Sequence, residues 1–89
     1  MYRVKVTVKS VKGNCGAGYK EGDFFTIEDG VMIKPGEPDG VCMYALPALL
    51  PYITAYSRET SQDDWINMLT ELQCPDSTNT VIFGLERVG

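Results

Sequence analysis

Three cysteines and no histidine decide which chemistry is open to this 89-residue chain. Cys15 lies in Gly13-Asn14-Cys15-Gly16-Ala17-Gly18, Cys42 follows Gly40-Val41, and Cys74 opens Cys74-Pro75-Asp76. A turn former beside each cysteine predicts that all three sit at the ends of elements, where segments far apart in sequence can meet. Three thiolates, with Asp76 or a water as fourth donor, would suit a tetrahedral metal site. The spacings are not those of a zinc ribbon or knuckle, and no Cys-x-x-Cys is present. A metal ion is thus a candidate cofactor, and the sequence requires none.

A reactive thiol is the second chemistry. Cys15 has the backbone amides of a glycine-rich loop around it, with Lys12 and Lys20 close in sequence, and both features favour a thiolate. The lack of histidine removes His-based zinc sites, Ser-His and Cys-His nucleophile pairs and imidazole acid–base steps. The third reading is structural: free cysteine is among the most buried residue types, and Cys42 and Cys74 would then fill core. The odd count, without a signal-like N-terminus, argues against a disulfide framework.

Other motifs say less. Gly13–Gly18 lacks the Gly-Lys-Ser/Thr ending of a P-loop, and Gly22-Asp23 leads into a strand, so no phosphate cradle is expected. Tyr44, Tyr52, Tyr56 and Trp65 are candidates for a binding surface or a dimer seam, since amphipathic aromatics favour interfaces. Asp63 and Asp64 suit the first turn of a helix better than a paired acid–base site.

The elements that must position these residues follow from periodicity. Tyr2–Val11 alternates, with Tyr2, Val4, Val6 and Val8 on one face and Arg3, Lys5, Thr7 and Lys9 on the other, which predicts a half-buried strand. Its basic face is expected to pair with acids such as Glu71 or Glu86. Lys12–Asp23 reads as a glycine-rich loop. Phe24–Glu28 and Val31–Lys34 read as strands joined through Asp29-Gly30, followed by a turn-rich connector over Pro35–Gly40. Over Val41–Tyr56 the recurrence of Cys42, Leu46, Leu49, Leu50 and Ile53 predicts a helix. Pro47 and Pro51 predict that it is kinked or in two pieces, broken near Leu50-Pro51. Trp65, Met68, Leu69 and Leu72 are spaced as a helix, but Leu69–Cys74 also fits a strand returning through Pro75–Asn79 into Thr80–Val88. The expected fold is one α+β domain over residues 1–89. It has a small, largely antiparallel sheet of about four to five short strands, and a kinked central helix packs on one face.

Composition narrows the partners. The chain is 44% apolar and 22% charged, as expected of a globular domain. Its net charge of −4 divides unevenly: residues 1–20 carry five bases and no acid, and the remainder carries twelve acids and three bases. That balance argues against nucleic acid as a partner. No run reaches membrane-spanning length, so no membrane association is expected and the cytoplasm is the expected location.

In combination, several motifs resemble a family of small single-domain prokaryotic proteins of uncharacterised function. They are Met1-Tyr2-Arg3-Val4-Lys5-Val6-Thr7-Val8-Lys9, Gly13-x-Cys15, Gly18-x-Lys20-x-Gly22-Asp23-x-Phe25, Gly40-x-Cys42 with Ala45, Pro51-Tyr52-Ile53, Trp65, Cys74-Pro75-Asp76 and Val81-x-Phe83. The resemblance spans nearly the whole chain. It implies that Cys15, Cys42 and Cys74 are the family's cysteine positions, and it favours the hairpin over Leu69–Val88. It brings no activity. Where the family pattern often has histidine before Lys20, this chain has Tyr19, which counts against a metal role.

The leading expectation is a non-enzymatic binding or interaction module. It would act through a homodimer, a protein partner or a cysteine-centred ligand, metal or redox-sensing site involving Cys15, Cys42, Cys74, Asp76, Tyr44 and Trp65. The alternative is a thiol- or metal-dependent enzyme, or enzyme subunit, centred on Cys15.

Overall fold

A computed structural model describes residues 1–88. Five strands, β1 (Val4–Val11), β2 (Phe24–Glu28), β3 (Met32–Glu37), β4 (Glu71–Gln73) and β5 (Val81–Arg87), form one antiparallel sheet in the order β3-β2-β1-β5-β4. One helix, α1 (Ala45–Tyr56), and a short 3-10 turn (Trp65–Met68) complete the chain, giving the expected α+β class.

The alternation of β1 decides which face is buried. Val4, Val6 and Val8 are buried and stand opposite Ile27, Phe25 and Phe83 of the flanking strands. Beyond Val8 the β1–β5 register slips: Val8 pairs with Phe83, but Ser10 pairs with Ile82. This bulge changes the parity of the strand. Val11, which simple alternation would send to solvent, therefore packs against the core opposite the buried Val81.

The opposite face of β1 carries the bases, and acids meet them. Arg3 Nε donates to Glu28 Oε2 at 2.7 Å, Lys9 Nζ stands 3.4 Å from Glu71, and Lys5 is in register with Glu86. The Arg3 bond holds the Glu28 carboxyl below its ordinary value. Arg3 and Lys9 of the basic stripe are thus paired with acids, and Lys5 Nζ lies 4.7 Å from the centroid of the Phe24 ring.

The β2–β3 turn follows its dipeptide. Asp29 (φ 53°) and Gly30 (φ 70°) are both left-handed, as a type I′ turn demands. β3 continues further than expected, because the sheet edge tolerates Pro35, whose missing N–H faces no partner strand. A register shift then places Gly36 against the Phe24 ring, where any Cβ would collide. The connector predicted over Pro35–Gly40 therefore begins only after Glu37.

One helical expectation is corrected, and one open choice between helix and strand is resolved. α1 runs unbroken from Ala45 through Pro51 to Tyr56, so the break near Leu50-Pro51 does not occur. Pro47 falls in its first turn, where backbone N–H groups lack helical partners in any case, and only Pro51 removes an interior bond. Helix starts at Ala45, so Cys42 precedes it, and the buried stripe is Ala45, Leu49, Ile53 and Tyr56. The stretch left open between helix and strand begins as a single 3-10 turn capped by Asp64, whose Oδ1 accepts from Ile66 N at 3.0 Å. Leu72 then enters β4 opposite Phe83, which is the hairpin alternative.

Arg87 ties the helix to the sheet. Its guanidinium lies 4.4 Å from the ring centroids of both Tyr2 and Tyr56, and Nε donates to Tyr56 O at 2.9 Å at the C-terminal end of α1. At the other end of the core, Phe83 is 1% exposed, with the Tyr19 and Phe25 rings meeting it edge-on at centroid separations of 5.8 and 6.5 Å. Phe83→Ala is expected to cost about 3–5 kcal/mol, while the neighbouring Ile82→Ala, on the half-exposed face, should cost much less. Urea unfolding of the two variants distinguishes them, and equal losses would contradict this assignment of faces.

Candidate functional site

At the end of the sheet where the β1–β2 loop, the approach to α1 and the β4–β5 loop converge, the surface opens into a cleft of about 700 Å³. Cys15, Cys42 and Cys74, drawn from these three segments, all line it, and all three thiols are free and half-buried. Phe83 and Val81 of β5 contribute core side chains to its wall.

Each segment is held by specific bonds. The glycine-rich loop turns at Cys15, whose carbonyl accepts from Gly18 N at 2.9 Å, and is anchored by the buried Asp23, whose carboxylate accepts from Lys20 N at 2.9 Å. Tyr19 is thereby carried inward until it is 7% exposed. Its hydroxyl oxygen accepts from Cys42 N at 2.8 Å, which joins the first segment to the second. Burial pushes the Tyr19 phenol above its ordinary value, with the Cys42 N–H bond pulling the other way, so the hydroxyl keeps its proton.

The third segment is a tight loop built on Asp76. Its Oδ1 accepts from Thr78 N and Asn79 N, each at 2.9 Å, and those bonds hold the carboxyl below its ordinary value. Cys74 faces into this loop: its Sγ accepts from Val81 N at 3.2 Å and lies 3.6 Å from Thr80 Oγ1. Asn79 Oδ1 accepts from Asn14 N at 2.9 Å, and Lys12 N donates to Thr80 O at 2.8 Å, locking this loop to the glycine-rich one. The approach is so close that a Cβ on Gly13 (φ 79°) would strike Asn79 Oδ1 and Thr78 O. Glycine is required there on both counts.

Of the residues singled out in the sequence, Cys15, Cys42, Cys74, Asp76 and Tyr44 line the cleft. Tyr44 stands at its mouth, 73% exposed, just before α1. Trp65 does not belong to the cleft: it is exposed on the 3-10 turn and packs edge-on against Tyr52, with 6.3 Å between centroids. Tyr52 and Tyr56 part company too, the first exposed and the second buried under Arg87. Cys42 lies at the cleft wall and not on the apolar helix face, because the helix begins three residues later. Among the described residues no group of three or more His, Cys, Asp or Glu side chains is arranged to hold a metal ion. The cysteines share a cleft without forming a coordination shell.

The sequence marked Tyr19 only as standing where the resembled family often has histidine, and it did not mark Asn79. Tyr19 stands in a polar, glycine-dense stretch with no periodicity, and its burial depends on the fold of the loop. Asn79 offered no signal beyond its place after Asp76.

No protein-family model, no curated protein and no solved structure matches this chain. The site is therefore read from its own geometry.

Two outcomes follow from that geometry. Cys42→Ser, which a core position would make strongly destabilising, should cost about 1 kcal/mol or less at this half-buried wall, read as a small shift in urea midpoint. Asp76 titrates below its unfolded value, so its stabilisation is complete above that value and is lost as pH falls through the lowered folded one. Asp76→Asn should accordingly flatten the acid limb of Tm against pH. An unchanged limb would place the acid sensitivity elsewhere.

Proposed function

We propose that this chain is a small-ligand binding module and that the three-cysteine cleft is its binding site. The observation that carries the reading is the convergence of Cys15, Cys42 and Cys74, from three separate segments, on one cleft walled by Tyr19 and Phe83. Its volume of about 700 Å³ lies within the range of small-molecule pockets. A surface hollow left by imperfect packing would not call for three loops cross-linked by backbone and side-chain hydrogen bonds.

Binding is favoured over catalysis by the groups at hand. The chain has no histidine, and the one carboxylate in the lining, Asp76, is spent on two backbone N–H groups and held below its ordinary value. That leaves the thiols without a nearby general base. A binding role needs only shape, apolar surface and a few directed polar groups, and the cleft has these.

The test is a ¹H–¹⁵N NMR screen with neutral ring compounds. Amide shifts are expected in the three segments around Cys15, Cys42 and Cys74. They should disappear once the thiols are alkylated with iodoacetamide in protein whose circular dichroism is unchanged. Shifts scattered over the surface, or indifferent to alkylation, would overturn the reading.

A further inference from the structure

The helix α1 has no charged side. From Gly40 to Ser57 not one residue is charged, although 22% of the chain as a whole is. A surface helix ordinarily sets charged and polar side chains opposite its buried stripe, and one that is apolar all round is normally covered all round. The inward stripe of α1 is Ala45, Leu49, Ile53 and Tyr56. Outside that stripe Pro47, Pro51, Tyr52 and Thr54 are exposed.

Spacing joins the exposed residues into one row. Tyr44, at the N-cap with helical backbone (φ −88°, ψ −34°), is followed at four-residue intervals by Ala48 and Tyr52, with Pro47 and Pro51 alongside. Tyr52 meets the Trp65 ring edge-on, and Met68 stands three residues after Trp65, where the side chains of a 3-10 turn eclipse. Tyr44, Trp65 and Met68 are 73%, 63% and 80% exposed. With Tyr52 and the two prolines the row presents roughly 700 Å², more than a monomer usually exposes in one apolar patch and close to the ~800 Å² per partner of a standard interface.

Charge selects the occupant. At 12 residues α1 is too short to cross a bilayer. Helices that lie on membranes carry lysine or arginine along a polar face, and α1 has neither. The chain is net −4, so copies of it repel one another where their acidic surfaces meet, and the α1 row lets two copies touch without like charges in contact. We infer, independently of what the cleft binds, that this row docks a second copy of the chain about a two-fold axis perpendicular to α1 at Ala48. The contact is isologous: the two helices run antiparallel, and Tyr44 of each copy meets Tyr52 and Trp65 of the other. Ala48, the smallest side chain of the row, lets the helix axes approach to about 8–10 Å. Because Tyr44 also stands at the cleft mouth, the second copy borders the cleft entrance.

Trp65 is the only tryptophan of the chain, so its emission reports on this row. In reducing buffer, light scattering behind a sizing column should give twice the 9.8 kDa chain mass at high micromolar concentration. Trp65 emission should shift to the blue, and its quenching by iodide should fall, as the protein is concentrated from nanomolar to that range. Pro51→Glu sets a carboxylate in the row and replaces an interior helix proline with a better helix former. It should give the single-chain mass throughout, with Trp65 emission independent of concentration. If that variant does not fold, the concentration dependence of Trp65 in the unmodified protein still decides. A single-chain mass for the unmodified protein at high micromolar concentration overturns the inference. A dimer in which Trp65 emission stays fixed, or one that Pro51→Glu leaves intact, overturns the assignment to this face. A monomer whose Trp65 emission shifts to the blue on phosphatidylcholine vesicles overturns the second copy and gives the row to a lipid surface.

Discussion

The packing of Phe83 governs both the stability of this domain and the shape of its cleft. It stands on β5, an interior strand with β1 along one edge and β4 along the other. Its ring is covered by Phe25 from β2 and by Tyr19 from the glycine-rich loop, and one part of it forms the cleft wall. Edge-on aromatic contacts of this kind fix ring orientation as well as burying area. Tyr19 is consequently held in place by the core while its hydroxyl accepts from Cys42 N.

From that wall outward the site is assembled by bonds between loops. Asn79 reaches Asn14, Thr80 reaches Lys12, and Tyr19 reaches Cys42. None of these lies within a helix or between strands, so the regular elements set where the loops begin and these contacts set where they end. The absence of a Cβ at Gly13 allows two of the loops to touch. The three cysteines meet as a result, close enough to share a cleft yet without the arrangement a metal would impose.

Much of the sheet was legible in the sequence, for a physical reason particular to each part. The Val4, Val6, Val8 alternation specifies a half-buried strand because its period of two matches the pleat. Asp29-Gly30 specifies the hairpin because both residues accept left-handed backbone. The stretch from Trp65 to Leu72 stayed open between helix and strand because apolar residues three and four apart satisfy a helical period over so few residues that a 3-10 turn and a strand can share it. Pro51 misled differently: the breaking tendency was real, but Leu49, Ile53 and Tyr56 bury enough apolar surface against the sheet to hold the helix through it.

By itself the sequence determined the chemical inventory: three thiols without histidine, an α+β order of elements, glycine-rich and Cys-Pro-Asp loops, and a net charge of −4 with a basic stripe on β1. These depend on residue type and on near-neighbour periodicity, which a linear reading contains. Only the tertiary structure decided that the three cysteines share one cleft, that Trp65 stands apart from it, and that Tyr19 is buried with its hydroxyl on Cys42 N–H. Those facts depend on contacts between loops 23 to 68 residues apart. Such contacts join residues far apart in sequence, and no local pattern encodes them.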